Sequence, residues 1–281
     1  MKTILVPTDY SAVSKNAAIY ALHLAKQLKA ARVILYNAYQ AAPMLTEATM
    51  PIMPVMDIET LSNISTEGMK YFRESLATFI SEGLIVEEKT AYGIVTDGIE
   101  EICLESEIYM VVMGISGTSK LEEIFIGSTA TSVLKHIQTP VIVVPAQATF
   151  NNVEKVLFTC DYDHVVGSTP MKPIRDLLNA TGASLHVINI YKKQGDFDAD
   201  LLYEEELTHS ILSEFSPQYH AVKSESFIDG INKYVDENKI DLIITIPKKH
   251  GFFETLFHEP HTKQLAFHSH VPLMSIHEGQ L

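Results

Sequence analysis

The sequence predicts an α/β protein built as two tandem, doubly wound, five-stranded parallel-sheet units. Three observations carry that expectation. Short runs that are nearly all apolar alternate with stretches of helical periodicity, the pattern of parallel strands covered on both faces. The chain also repeats itself: MKTILVPTDYS (Met1 to Ser11) is similar to VEKVLFTCDYD (Val153 to Asp163), and HIQTPVIVVP (His136 to Pro145) to HSHVPLMSIH (His268 to His277). This aligns Asp9 with Asp161 and Pro140 with Pro272. Finally, 281 residues with a 46% apolar share suffice to pack two such cores.

The elements follow in order. An apolar run from Thr3 to Pro7 is the first strand, and Ser11 to Lys29 the first helix, with Ala18, Leu22, Ala25 and Leu28 on one stripe. Val33 to Ala38 is the second strand. Tyr39 to Asp57, with three prolines and Met44, Met50, Met53 and Met56, should be an extended connection. It reads as a flap packing its methionines on the sheet edge, or as a soft partner surface or lid. Helix Asp57 to Ser81, strand Ile85 to Ala91, helix Thr96 to Glu107, strand Ile108 to Met113, helix Ser128 to Ile137 and strand Val141 to Val144 complete the first unit. Strands near Val153 to Phe158, Ser184 to Ile190, His220 to Ser224, Leu242 to Ile246 and Leu273 to Ile276 repeat it. The boundary falls at Ala146 to Asn152, a polar stretch with little to bury, giving domains 1–147 and 152–281.

Charge narrows the partners. The formal net charge is -14, and residues 1–147 carry 10 basic and 16 acidic side chains against 11 and 19 in the remainder. A surface this acidic in both halves argues against binding nucleic acid or anionic membranes. No apolar run approaches the ~20 residues of a membrane helix, and the N-terminus enters a strand without a signal-peptide core. Cys103 and Cys160, one per half, read as small buried apolar residues. A cytoplasmic protein is expected.

The chemistry gathers at MGISGTSKLEEIFIGSTA, residues 113–130. Strand, glycine loop and helix start is the order a phosphate site requires. In open α/β sheets the ligand crevice lies outside the carboxyl ends of the strands where chain order reverses, here between the first and fourth strands. Asp9 stands at the tip of the first and Gly114 at the tip of the fourth. An aspartate there can accept from ribose hydroxyls or an adenine amine. Glycines admit backbone N–H groups to a polyphosphate, and the helix opening at Gly127, Ser128 and Thr129 adds free amides and hydroxyls.

Gly114-x2-Gly117-x9-Gly127-Ser128-Thr129, with ILVPTDYS at the start, resembles the ATP-binding signature of the universal stress proteins, over the whole chain as two tandem copies. The resemblance implies five parallel strands ordered 3-2-1-4-5 in each unit and ATP, or ADP or AMP, in the crevice, with Mg as a companion ion. By carry-over Pro7, Thr8 and Asp9 flank adenine and ribose, Ala38 lines the base pocket, and Met113, Gly114, Ser116, Gly117, Gly127, Ser128 and Thr129 surround ribose and phosphates. Ala38 is smaller than the valine often found there. The resemblance also implies pairing through the fifth strands, VIVVP and VPLMSI, which would otherwise be sticky apolar edges. The two units are thus expected to form an intramolecular pseudo-dimer, with further homodimerisation open.

The second copy departs. At the positions of Gly114, Gly117, Gly127, Ser128 and Thr129 stand Ile246, Lys249, Glu259, Pro260 and His261. Glu259 sets negative charge where phosphate would lie, and Pro260 has no N–H to donate. Nucleotide is therefore expected in the first unit alone, with Asp161 kept as a turn or cap residue.

Catalysis is not indicated. The loop lacks a P-loop ending, Lys120, Glu122 and Glu123 read as solvated surface, and no paired carboxylates or Ser/His/Asp arrangement can be assigned. The expected class is a nucleotide-binding regulatory or sensor protein, with slow incidental hydrolysis at most. The rivals are a protein-interaction module with a vestigial loop, a weak ATP hydrolase, and a zinc site among His258, His261, His268 and His270 with Glu259. The protein partners are unknown at this level.

Overall fold

The computed structural model describes residues 1–41, 57–115, 128–160, 169–191, 199–224, 227–246 and 271–278. The first half contains β1 (Thr3–Pro7), α1 (Ala12–Gln27), β2 (Arg32–Tyr39), α2 (Ile58–Glu74), β3 (Ile85–Tyr92), α3 (Val95–Glu105), β4 (Ile108–Ile115), α4 (Ser128–His136) and β5 (Val141–Pro145). The second contains β6 (Lys155–Thr159), α5 (Met171–Thr181), β7 (Ser184–Tyr191), α6 (Ala199–Leu212), β8 (Gln218–Lys223), α7 (Phe227–Asn238), β9 (Leu242–Thr245) and β10 (Leu273–Ser275).

All ten strands join one sheet in the order β3-β2-β1-β4-β5-β10-β9-β6-β7-β8. Each half thus has the order 3-2-1-4-5, and its strands are parallel. Between the halves β5 and β10 pair antiparallel, with Val143 opposite Leu273 and Val141 opposite Ser275. The central strands are apolar throughout because helices cover both faces. One buried cluster packs α1, α2 and α5 on one face, and a second packs α3, α4 and α7 on the other. Both clusters run across the two halves.

The outermost strand β3 is only partly buried. Glu87, Glu88 and Lys89 occupy its middle, with Glu87 3.4 Å from Arg32 and Glu88 3.3 Å from Arg73. Charges of this kind guard an open edge against pairing with another chain.

The structure differs from the sequence reading in three places. The long helix expected from Asp57 to Ser81 stops at Glu74, where the Ser75 hydroxyl donates to the Phe72 carbonyl at 2.7 Å. A single 3₁₀ turn, Ala77–Phe79, follows. Strand β4 runs to Ile115, two residues past the expected end at Met113, so Gly114 lies inside the ladder opposite Val144 instead of at the strand tip. The connection between the halves is also less solvated than its polarity suggested. Ala148 and Val153 are buried, the Gln27 side chain exchanges hydrogen bonds with the Val153 backbone at 3.0 and 2.9 Å, and Asn16 donates to Pro145 and Ala148. Helix α1 holds the linker. Among the described residues no helix is long and apolar enough to cross a membrane.

Candidate functional site

Chain order reverses between β1 and β4, which lie side by side and parallel, so the tips of both open into one crevice. At the β1 tip the backbone is over-determined. Thr8 continues the ladder by donating its N–H to the Tyr36 carbonyl at 2.8 Å. Its hydroxyl donates to Ser14 and accepts from the Tyr10 N–H, both at 3.0 Å. The Thr8 carbonyl accepts from the Asn37 amide at 2.7 Å. Ser65 of α2 then donates to Asn37 Oδ1, and the Tyr10 hydroxyl to the Ser65 carbonyl, each at 2.7 Å. Thr8 is buried, with its N–H, carbonyl and hydroxyl all engaged in this lattice.

This lattice holds Tyr10 in the left-handed region, φ 65°, a conformation that a residue with a side chain adopts only when its surroundings enforce it. The Tyr10 ring lies over Gly68 of α2, where an added Cβ would come within 2.8 Å of it. Chain direction therefore turns sharply after Asp9, and Ser11 caps α1, accepting from the Ser14 N–H at 3.2 Å.

Asp9 itself is exposed, and its Oδ1 accepts from the Ser11 N–H at 3.0 Å. Partial burial pushes its carboxyl up. Hydrogen bonds from the Ser11 hydroxyl and amide, the Ser14 hydroxyl and its own amide outweigh that push and hold it below the ordinary carboxylate range. The group is an ionised acceptor at the mouth of the crevice.

On the β4 side Met113 and Ile115 are buried and Gly114 lies between them. A Cβ on Gly114 would sit 2.7 Å from the Val13 carbonyl oxygen and 2.8 Å from Val13 Cγ1. Bare backbone here lets the first turn of α1 close onto β4. Ser128 and Thr129 are the first two residues of α4, both exposed, with Ala130, Val133 and Leu134 buried beneath. Their end of the helix carries the free N–H groups and the positive end of the dipole. Thr96 of α3 donates to Ser132 at 3.3 Å, steadying α4 from the side. Ala38 is half-buried in β2, paired with Ala91 of β3. Ser116, Gly117 and Gly127 lie outside the described residues, as does the methionine-rich connection.

Pro7, Thr8, Asp9, Met113 and Gly114 therefore gather where β1 and β4 end, and Ser128 and Thr129 open the helix that leads back from β4. Asn37, Ser65, Tyr10 and Val13 were missed by the sequence reading. One signal was available for Asn37: a polar residue in an apolar strand, repeated at Asn189 in the second half.

The second half reproduces the brace. Cys160 donates its N–H to Ile188 at 3.0 Å, and the Asn189 amide donates to the Cys160 carbonyl at 3.0 Å. Ile190 stands where the first half has Ala38, and Ile246 follows β9 buried. Asp161, Lys249, Glu259, Pro260 and His261, with His258, His268 and His270, lie outside the described residues. Among those described, no group of three or more His, Cys, Asp or Glu is placed to hold a metal ion. Cys160 is buried, and burial pushes the half-buried Cys103 thiol up.

The chain resembles known proteins in the same pattern. The family model described as the universal stress protein family matches residues 1–145. Universal stress protein MJ0531 of Methanocaldococcus jannaschii is 28% identical over 146 residues, covering 51% of this chain and 81% of that protein. Universal stress protein YxiE of Bacillus subtilis is 28% identical over 143 residues, covering 50% and 97%. A solved universal stress protein from Archaeoglobus fulgidus superposes on 99% of this chain and 98% of its own, with a TM-score of 0.72 at 18% identity, a likeness of fold. With that model spanning half the chain and the strand order repeated in both halves, the chain belongs to the universal stress protein family.

Proposed function

We propose that the chain is a regulatory or sensor protein that binds ATP, or ADP or AMP, in the crevice of its first half. The carrying observation is the Asp9 turn, locked by Thr8 and Asn37 with an ionised carboxylate facing out beside the β4 tip. The chemistry present fits a nucleotide. Asp9 accepts from ribose hydroxyls or the adenine amine, Ala38 borders the base, and the amides and hydroxyls of Ser128 and Thr129 donate to phosphate oxygens. Ser116, Gly117 and Gly127 join them from the loop, and Mg accompanies the phosphates.

In this reading Thr8 acts as a brace, and Gly114 serves first to seat α1. Domain 152–281 binds no nucleotide: the bulkier Ile190 replaces Ala38, and Glu259 and Pro260 replace Gly127 and Ser128. Domain 1–147 and its twin act as an intramolecular pseudo-dimer joined at β5 and β10, within the cytoplasm. No general base or metal clamp is assigned, so turnover is at most incidental.

Titrating the purified chain with labelled ATP tests this. Saturable binding at one site per chain, lost in Asp9→Ala and in Gly127→Glu, supports it. An intact fold without binding refutes it in favour of an interaction module, and loop-dependent ADP release well above background favours a hydrolase.

A further inference from the structure

Helix α4 has nine residues, too few to persist on its own. Its order comes from its neighbours, and one of them belongs to the other half of the chain. His277, two residues beyond the end of β10, places Nε2 2.8 Å from the carbonyl oxygen of Leu134. A carbonyl only accepts, so Nε2–H is the donor, which fixes the tautomer. Leu134 lies in the last turn of α4, where carbonyls have no partner within the helix, so His277 is a C-terminal cap supplied across the seam. A short helix moves as a rod. Holding its last turn also sets where its first turn, Ser128 and Thr129, stands.

The strut is one-sided. The alignment that pairs Pro140 with Pro272 puts Pro145 at the position of His277, and proline has neither an N–H nor a side-chain donor to return the bond. The half that keeps the glycine loop receives the cap, and the half whose loop has diverged supplies it. The strand pairing at the seam is symmetric, β4-β5-β10-β9, so the asymmetry lies in His277 itself.

We propose that the C-terminal half positions the phosphate-facing helix of the N-terminal half, with His277 as the positioning residue. This rests on the nucleotide reading above. It gives the half without an intact loop a direct part in binding at the other.

The test uses the full chain with His277→Ala and His277→Gln, the glutamine amide being able to donate to the same carbonyl. Amide hydrogen exchange over residues 128–136 and affinity for ATP are measured on the same preparations. His277→Ala should speed exchange in α4 and weaken ATP binding, each about 2–10-fold, the scale of one lost hydrogen bond. Exchange in α7 should be unchanged, and His277→Gln should restore both readouts. If the alanine variant does not fold, His277→Met removes the donor at similar volume. Unaltered α4 exchange, or unaltered ATP affinity in a variant whose α4 has loosened, overturns the proposal alone. Failure of the unaltered chain to bind ATP overturns the nucleotide reading and this proposal together.

Discussion

The side-chain amide of Asn37 donates to the main-chain carbonyl of Thr8 at 2.7 Å, clamping the end of β1 to β2. Asn189 and Cys160 repeat the bond at 3.0 Å, again 29 residues apart. The clamp belongs to the fold common to both halves, and in the first half Ser65 and Tyr10 extend it to α2.

Replacing Asn37 by Ala leaves the buried Thr8 carbonyl and the Ser65 hydroxyl without their partner. A loss of about 1–3 kcal/mol is expected by urea denaturation, together with weaker ATP binding as the Asp9 turn relaxes. A double-mutant cycle with Ser65→Ala should show strong coupling between the two positions. Additive losses would break the network reading.

Gly114→Ala drives a methyl group against the Val13 carbonyl, which is backbone and cannot rotate away. Helix α1 must lift from β4, at a cost of about 1–3 kcal/mol. Adding Val13→Ala removes the clash with Cγ1 but not with the oxygen, so the double variant should recover only part of the lost melting temperature. Full recovery would show that the side chain alone sets the approach.

Stability should fall on mild acidification. His186 is held below the ordinary imidazole range, first by burial and then by His220 and Lys155 nearby. Its ring donates to or accepts from the Tyr234 hydroxyl at 2.8 Å and stacks near His220. His277 is depressed as well, chiefly by burial. The unfolded chain takes up protons near pH ~6.5 that the folded chain resists. This stability is therefore complete above that pH and is lost as pH drops below it, by no more than ~1.4 kcal/mol per pH unit for each histidine. Denaturation midpoints at about pH 7.5 and 5.5 should differ in this sense, and less so in His186→Phe. An identical difference in the variant would place the proton uptake elsewhere.

Much of the architecture was legible. Strands β1, β2, β4 and β5 and helix α1 are long or periodic enough to read directly, and the repeat located the second set. The end of α2 was not, because Glu74 to Ser81 keeps helix-compatible residues with no glycine or proline to mark the stop. The candidate site was legible as a crevice at the strand ends, and only partly in the contacts that build it. Asp9 and Ser128 announce themselves by type and place. Tyr10, Asn37 and Ser65 meet only once β1, β2 and α2 are side by side, and no local pattern encodes that meeting. Gly114 shows the limit of reading a glycine from sequence. The missing side chain makes room for Val13, a neighbour 101 positions away that spacing within the loop could not reveal.

The two buried layers that line the sheet each draw side chains from both halves, from Ile4 to Ile276 in one and from Leu5 to Leu273 in the other. Neither half then owns a melting point. Calorimetry should record one heat-absorption peak whose van't Hoff and calorimetric enthalpies agree, and two resolved peaks would contradict a shared interior. A lesion in the half without the intact loop would accordingly lower the thermal tolerance of the half that has it, even at sites far from any contact between them.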